Sequence, residues 1–221
     1  MPIILERTGY NVRGSRTTVL AHLFGVVAAI LMLVWLLHFR EGIDLDSDLP
    51  DRVFNVHPFL MYLGFIFLAG EAMIAYKMVK AERKIQKMVH MLLHLIALVL
   101  GIVGVYAAFK FHDESQIPDM YSLHSWLGLV TIVLFGLQWL FGFVAFWYPR
   151  AASGTRDRVA PWHIFLGVLI FLTAICTAET GLVQKSAFLQ LSQGPEARLL
   201  NFTGLFIFLF GVAVALSALL P

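Results

Sequence analysis

The chain has 221 residues, of which 59% are hydrophobic and 14% are charged, and its formal net charge is +2. Soluble domains are about 45–50% apolar on a similar count, so this composition excludes a soluble protein and predicts a multi-pass protein of the lipid bilayer with no nucleic-acid partner. The single cysteine, Cys176, excludes an intramolecular disulfide, and helix packing must supply the stability.

Six apolar runs are long enough to cross the hydrocarbon core, which takes about 20 helical residues. A membrane cannot satisfy open backbone groups, so the runs are expected to be helices. We therefore predict an all-α integral membrane protein with one domain over residues 1–221 and six transmembrane helices. The expected spans are residues 18–38, 57–76, 88–109, 124–147, 162–183 and 199–220.

Basic residues are unevenly distributed among the segments that connect the six runs. Most of them lie before the first run and in the second and fourth loops, and such segments face the cytosol in membrane proteins. Both termini are therefore predicted to be cytosolic. The residues concerned are Arg7, Arg13, Arg16, Lys77, Lys80, Arg83, Lys84, Lys87, Arg150, Arg156 and Arg158.

Four histidines occupy matching places in the four central runs. His57 and His124 are near the starts of the second and fourth runs, which enter from the non-cytosolic side. His90 and His163 are near the starts of the third and fifth runs, which enter from the cytosolic side. The topology thus predicts two histidine layers, one near each membrane face. Two neutral imidazoles at one depth are suited to binding one metal ion.

Bis-histidine haem fits this pattern better than a bare metal ion, because zinc or copper would need a third or fourth ligand at the same depth. Filled axial positions favour electron transfer over oxygen chemistry. The layers are expected about 20 Å apart. An interfacial role is the alternative for each histidine. His94 is either an alternative ligand or a packing neighbour of His90, and His22 and His38 are expected to be interfacial without partners.

Three functions remain open at this point. The first is one-electron transfer across a membrane through two haems. The second is a haem-containing membrane subunit that passes electrons to quinone in a larger complex. The third is a proton or metal transporter that uses the histidines as a relay, and the sequence argues against it because no broken helix or buried carboxylate chain is evident.

The segments around the four histidines resemble those of the cytochrome b561 family, particularly its plant members. They read "FNVHPFLMYLGF", "QKMVHMLLH", "YSLHSWLG" and "APWHIFLG", and "GEAMIAYK" and "FWYP" support the similarity, which covers about residues 35–188. The resemblance implies a six-helix protein, often a homodimer, with two haem b groups in its central four helices. It also implies electron transfer from cytosolic ascorbate to monodehydroascorbate or a ferric chelate on the other side.

The resemblance assigns ligands and substrate sites. It implies that His57 with His124 binds the non-cytosolic haem iron, and that His90 with His163 binds the cytosolic one. Cytosolic ascorbate would be bound by Arg83, Lys87 and Arg156, with Lys87 catalytic. Without the resemblance, these cations would be read as obeying only the positive-inside rule, as Lys80, Lys84, Arg150 and Arg158 do.

On the non-cytosolic side, the resemblance places an acceptor site at Phe111, His112 and Tyr121. His112 would bind the acceptor or shuttle a proton, and an ordinary loop histidine is the alternative. Contacts to the haem propionates are expected from Lys77, Asp119, Met120, Tyr121 and Ser122. Three positions depart from the family pattern, namely Arg83, Phe146 and Gln184, where Lys, Tyr and Glu are common. The family favours a vacuolar membrane or another endomembrane over the plasma membrane.

Overall fold

The structure is a computed structural model that describes the backbone of residues 2–220 and the side chains of residues 16–220. The basic residues Arg7 and Arg13 therefore lie outside the described side chains. Over the described range the chain is helical with short connections and has no strand. The helices are α1 (Pro2–Val34), α2 (Pro50–Phe59), α3 (Leu68–Met78), α4 (Arg83–Glu114), α5 (Leu123–Phe146), α6 (Ser153–Phe188) and α7 (Pro195–Leu219).

Two π-helical segments extend this framework. Residues Trp35–Phe39 continue α1, and residues Leu60–Phe67 join α2 to α3 as one helical span, Pro50–Met78. Pro58 lies inside α2 just before the second segment, where its missing N–H removes a helical hydrogen bond. Such local widening is a known response to an interrupted hydrogen-bond ladder and is common at functional sites.

Six helical stretches in the described part of the chain are long and apolar enough to cross a membrane, as predicted. Most are longer than the predicted runs. The last but one, for example, begins at Ser153 and ends at Phe188 rather than covering 162–183. Hydropathy marks only the part of a helix that fits the hydrocarbon core, whereas its backbone hydrogen bonds continue into the polar interfacial region.

The four histidine-bearing spans form the centre of the bundle. The second span packs against α4, and α5 packs against α6, while α1 packs chiefly against α7. We call the inner face the end of the bundle where α4 and α6 begin, and the outer face the end where α2, α5 and α7 begin. By the distribution of basic residues, the inner face is the predicted cytosolic face.

The expectation that His22 has no partner is wrong. Its Nδ1 atom lies 2.9 Å from Oε1 of Glu71, which joins α1 to α3 inside the bundle. Ionisable groups within membrane helices are costly unless they pair, so this contact fixes the first span against the second. The partner is on another helix and distant in sequence, so local reading could not find it. His38 lies exposed near the outer end of the first span.

Close packing of α6 on α7 depends on a glycine. A Cβ atom placed on Gly211 would lie 2.7 Å from Cγ1 of Ile175, a buried and branched side chain with little freedom to move. The two helices can approach this closely only because residue 211 has no side chain.

Gly211→Ala is therefore expected to lower the free energy of unfolding by about 1–3 kcal/mol, the usual cost of overpacking. The sign of this change in the free energy of unfolding is informative, because alanine is otherwise preferred over glycine within a helix by about 1 kcal/mol. Gly136→Ala is the matched control, since its nearest neighbour, Leu98, is at an ordinary 3.8 Å. The measurement is the thermal midpoint of detergent-solubilised protein. A Gly211→Ala variant as stable as the control would contradict the described packing.

Candidate functional site

Two pairs of histidines face each other across the centre of the bundle. His57 on α2 faces His124 on α5 near the outer face, with ring centroids 5.9 Å apart and ring planes perpendicular. His90 on α4 faces His163 on α6 nearer the inner face, with centroids 6.4 Å apart. The structure therefore brings together the pairs that the topology predicted, in two separate layers.

Three of these rings are held from behind by the backbone of a neighbouring helix. In each of them Nδ1 lies within hydrogen-bond distance of a carbonyl oxygen. A neutral ring that donates from Nδ1 keeps its Nε2 lone pair free for a metal ion, and such an outer partner also fixes the ring orientation. The contacts are His57 to Gly104 at 2.9 Å, His90 to Ala72 at 2.8 Å and His124 to Thr177 at 2.9 Å.

His163 is held by a side chain instead. The amide nitrogen of Gln138 on α5 donates to the His163 carbonyl oxygen at 2.7 Å and lies 2.9 Å from Nδ1 of the same residue. Gln138 thus lies against both the backbone and the ring of His163. Sequence reasoning missed this residue, although a lone amide in an apolar run was a usable signal, because a polar side chain in a membrane needs a partner.

Two of the histidine rings pack directly against glycine residues of a neighbouring helix. A Cβ atom on Gly142 would lie 2.8 Å from Cε1 of His163, and one on Gly181 would lie 2.7 Å from Cε1 of His124. Each ring thus lies directly against the backbone of a neighbouring helix. The close approach needs glycine at both positions, and neither position was singled out from the sequence.

The donor set fits haem better than a bare metal ion. Among the described residues no group of three or more histidine, cysteine or acidic side chains is arranged to hold a metal ion. A pair of imidazoles suits an iron that takes its other ligands from a macrocycle. Bonds of about 2 Å from the iron to each ring nitrogen place the ring centres roughly 6 Å apart, which agrees with both observed separations.

A cavity of about 570 Å³ reaches the inner histidine pair, and it is lined by aromatic, small and basic side chains. His94 also lines it, one turn from His90, with the two rings 4.5 Å apart. Its Nδ1 atom is buried without a hydrogen-bond partner among the described residues. The ring that faces His163 is that of His90, with centroids 6.4 Å apart. His94 instead packs beside His90, between the two histidine layers.

The predicted inner-face cations line this same cavity. Arg83, Lys87 and Arg156 all border it together with the inner histidine pair. The Arg83 guanidinium lies 4.5 Å from the centre of the Tyr76 ring, and that ring packs 5.2 Å from His90. Cations are thus placed at the cavity mouth, with an aromatic side chain between Arg83 and the histidine.

Two further predicted features fall in the same region. Lys77 lines the cavity, and its ammonium donates to the carbonyl oxygen of Leu220. Phe146 packs with its ring 5.2 Å from that of His163, so the missing hydroxyl leaves an aromatic contact in place. Arg150 is within electrostatic reach of Lys87, which reasoning from the sequence did not anticipate.

The outer-face residues also come together. His112, in the last turn of α4, has Nδ1 3.0 Å from Oδ1 of Asp119, and its ring packs near those of Phe111 and Tyr121. The Gln184 amide donates to the Tyr121 hydroxyl at 3.3 Å, so the residue that departs from the family pattern belongs to this cluster.

Two residues expected to contact the haem propionates, Ser122 and Met120, shape the backbone that leads into α5. Ser122 caps α5 by accepting a hydrogen bond from the backbone nitrogen of Ser125 at 3.2 Å. Met120 adopts a positive φ of 54° at the bend that leads into this cap. Both residues therefore shape the approach of the chain to His124.

Residues 56–189 match the family described as eukaryotic cytochrome b561. This range includes both histidine pairs, the inner-face cations and the outer-face residues around His112. The chain belongs to the cytochrome b561 family. The family resemblance inferred from the histidine segments is thereby confirmed. Cytochromes b561 are haem b proteins, in agreement with the paired imidazoles.

Relatives of known name align over nearly the whole chain. The probable ascorbate-specific transmembrane electron transporter 1 of Oryza sativa subsp. japonica is 48% identical over 96% of this chain and 93% of its own. The transmembrane ascorbate ferrireductase 1 of Arabidopsis thaliana is 42% identical over 94% and 89%. A transmembrane ascorbate-dependent reductase of Pongo abelii is 40% identical over 88% and 78%.

The two ring-facing glycines give a reciprocal test of the cytochrome's histidine pairs. Gly142→Ala should displace His163 and impair haem binding at the inner pair, whereas Gly181→Ala should displace His124 and impair the outer pair. If each pair binds one haem, each variant loses about half of the haem, because the added carbon occupies the space of one histidine ring. Haem per chain and low-temperature electron paramagnetic resonance of the two low-spin signals are the measurements.

Gly128→Ala is the control, since only one atom, a methyl of Thr177 at 3.4 Å, lies near its added carbon. Loss of the same low-spin signal in both glycine variants would contradict the assignment of His163 and His124 to different haems.

Proposed function

We propose that this cytochrome b561 carries electrons across a membrane, from ascorbate at the inner face to an acceptor at the outer face, through one haem b at each histidine pair. The observation that carries the proposal is the presence of two facing imidazole pairs at different depths of one four-span bundle. The relatives named as ascorbate-dependent electron transporters and reductases support ascorbate as the donor.

Haem b would be held at each pair by the two histidine rings, and it would supply a one-electron iron couple suited to electron transfer rather than oxygen chemistry. The protein's part is to hold the ligands. Carbonyl oxygens orient His57, His90 and His124, while Gln138 orients His163. The core that packs between the helices is apolar and includes Phe65 and Phe135, whose ring centroids lie 4.7 Å apart.

At the inner face, Lys87 is the proposed catalytic cation. Ascorbate is a monoanion at neutral pH, and an ammonium at the cavity mouth would bind its oxygens by charge-assisted hydrogen bonds. Arg83 and Arg156 add positive charge around the same opening. The cluster both concentrates the anion and places it beside the inner histidine pair. By the positive-inside rule this face is cytosolic, so the donor would be cytosolic ascorbate.

At the outer face, His112 is the proposed contact for the acceptor. With Nδ1 directed to Asp119, its Nε2 atom can hold or release a proton. One-electron reduction of monodehydroascorbate to ascorbate consumes one proton, which Nε2 would supply, whereas reduction of a ferric chelate needs none. Phe111 and Tyr121 would provide the flanking walls. A vacuolar membrane or another endomembrane and a homodimeric state fit the family.

The function is tested with purified protein in sealed vesicles. Ascorbate is trapped inside, a membrane-impermeant ferric chelate is added outside, and ferrous iron is measured. We expect iron reduction only in vesicles that contain the cytochrome. Reduction that occurs solely when ascorbate and chelate share one compartment would contradict transmembrane transfer.

Lys87→Gln should slow haem reduction by ascorbate about 10–100-fold, since a hydrogen bond to a charged group contributes about 1.5–3 kcal/mol. The visible spectrum should stay unchanged, because Lys87 is not one of the four proposed ligand histidines. Stopped-flow reduction at several ascorbate concentrations gives the rate. Lys84→Gln is the control: it removes the same charge from an exposed position of the same helix. Equal slowing in both variants would show that only the overall charge of the inner face matters.

A further inference from the structure

Lys185 lies on the haem-facing side of α6, close to the outer histidine pair. It follows Gly181 by four residues, so the two share one helical face, and Gly181 is the residue against which the His124 ring packs. Since α6 runs from the inner to the outer face, Lys185 is one turn further outward than that contact. This places the ammonium at the outer edge of the His57–His124 pair.

Aromatic rings hold the ammonium in place. Nζ of Lys185 lies 3.9 Å from the centre of the Phe54 ring and 5.9 Å from that of Phe111. The Phe54 ring in turn lies 6.0 Å from the ring of His57. Lys185 and Phe54 thus bridge α6 and α2 across the outer side of the histidine pair, and cation–π attraction orients the charge there.

The Lys185 side chain is largely covered, and the described protein groups satisfy its ammonium poorly. The side chain is only 12% exposed, and its one ion-pair partner among the described residues, Asp51, is 3.8 Å away and 77% exposed. None of its three N–H groups donates a hydrogen bond to another described residue. A covered charge is costly unless it is paired and hydrogen-bonded, so this arrangement suits an anion that is still to be bound.

Other outer-face cations near the first loop are already engaged. Each donates a short hydrogen bond that holds a loop or a helix end. The bonds are Arg40 to Glu196 at 2.7 Å, Arg52 to the Glu41 carbonyl at 2.8 Å and Lys110 to the Leu45 carbonyl at 2.7 Å. Arg198 is exposed on the surface of α7. Lys185 differs from these three because it donates no hydrogen bond to a described residue, although Nε of Arg40 is also buried without a partner among them. It differs from Arg198 in its burial.

We propose that Lys185 is an anion-binding residue of the outer site, and that its ammonium binds a carboxylate at the outer edge of the His57–His124 pair. The inference rests on the proposed function, because it assumes electron transfer through that pair. The carboxylate comes either from a propionate of the outer haem or from an anionic acceptor such as ferric citrate. In both cases Lys185 supplies charge-assisted hydrogen bonds to the carboxylate.

The test compares Lys185→Gln and Lys185→Arg with Arg198→Gln, which removes an exposed outer-face charge. The purified holoprotein is titrated to obtain the midpoint potentials of both haems. KM is then measured for ferric citrate and for the cation hexaammineruthenium(III). Asp51→Asn is added because it leaves Lys185 intact and removes the one ion-pair partner that Lys185 has among the described residues.

If the partner is a propionate, Lys185→Gln shifts the redox equilibrium of the outer haem about three- to tenfold towards the oxidised form, tenfold being about 59 mV for one electron. If the partner is the acceptor, KM for ferric citrate rises about three- to tenfold while both potentials and KM for the ruthenium cation stay unchanged. Either result supports the proposal. In both cases Lys185→Arg keeps the affected quantity, the outer-haem potential or the KM for ferric citrate, at its wild-type value. Asp51→Asn shifts that quantity in the direction opposite to the shift in Lys185→Gln.

The proposal is overturned if Lys185→Gln matches Arg198→Gln in both potentials and both KM values. If Lys185→Gln fails to bind haem, the Asp51→Asn variant provides the test instead. Wild-type midpoint potentials and wild-type KM values in Asp51→Asn would then overturn the proposal. Failure of the proposed function is a separate result, because the wild-type protein itself would then not be reduced by ascorbate.

Discussion

Each histidine ring of the two facing pairs is pressed against a group on another helix, and the packing of the four central spans depends on that contact. Backbone carbonyls hold three rings, and the Gln138 amide holds the fourth. Gly142 and Gly181 allow α5 and α6 to approach the rings closely. A small rotation of any one helix would separate a ring from its support, so these ring contacts fix helix spacing and rotation together.

Helices α1 and α7 pack against one side of the four central spans. The first span packs chiefly on α7, and both contact the second span, which the His22–Glu71 contact secures inside the bundle. Thr18 and Ser217 form a buried polar contact between α1 and α7, with oxygens 2.7 Å apart. These polar contacts are directional, so they set the register of α1 and α7 where apolar packing alone would leave it free.

The sequence was sufficient to predict the spans and the histidine pairs. Hydropathy locates helices, and the alternation of direction decides which end of each helix reaches which face, so His57 with His124 and His90 with His163 follow from topology. Gln138, Gly181, Lys185 and the partner of His22 did not follow. Their roles depend on helix rotation, which is hidden in a sequence whose helices are apolar on nearly every side.

The two faces are chemically different, and the difference gives the proposed electron path a direction. Cations dominate the mouth of the inner cavity, which suits uptake of a small anion. The outer cluster combines a histidine–aspartate contact with aromatic walls and one covered ammonium, which suits an acceptor that needs both a proton donor and an anion contact. Similar imidazole pairs thus lie beneath two different recognition surfaces.

The most direct test of this account is the visible spectrum of the purified protein before and after ascorbate, with haem b quantified per chain. The account predicts two low-spin haems per chain and reduction by ascorbate, because each of two imidazole pairs would bind one iron. A single haem per chain would contradict one of the pairs. A folded, helical protein without haem would contradict both and would require a different role for the four histidines.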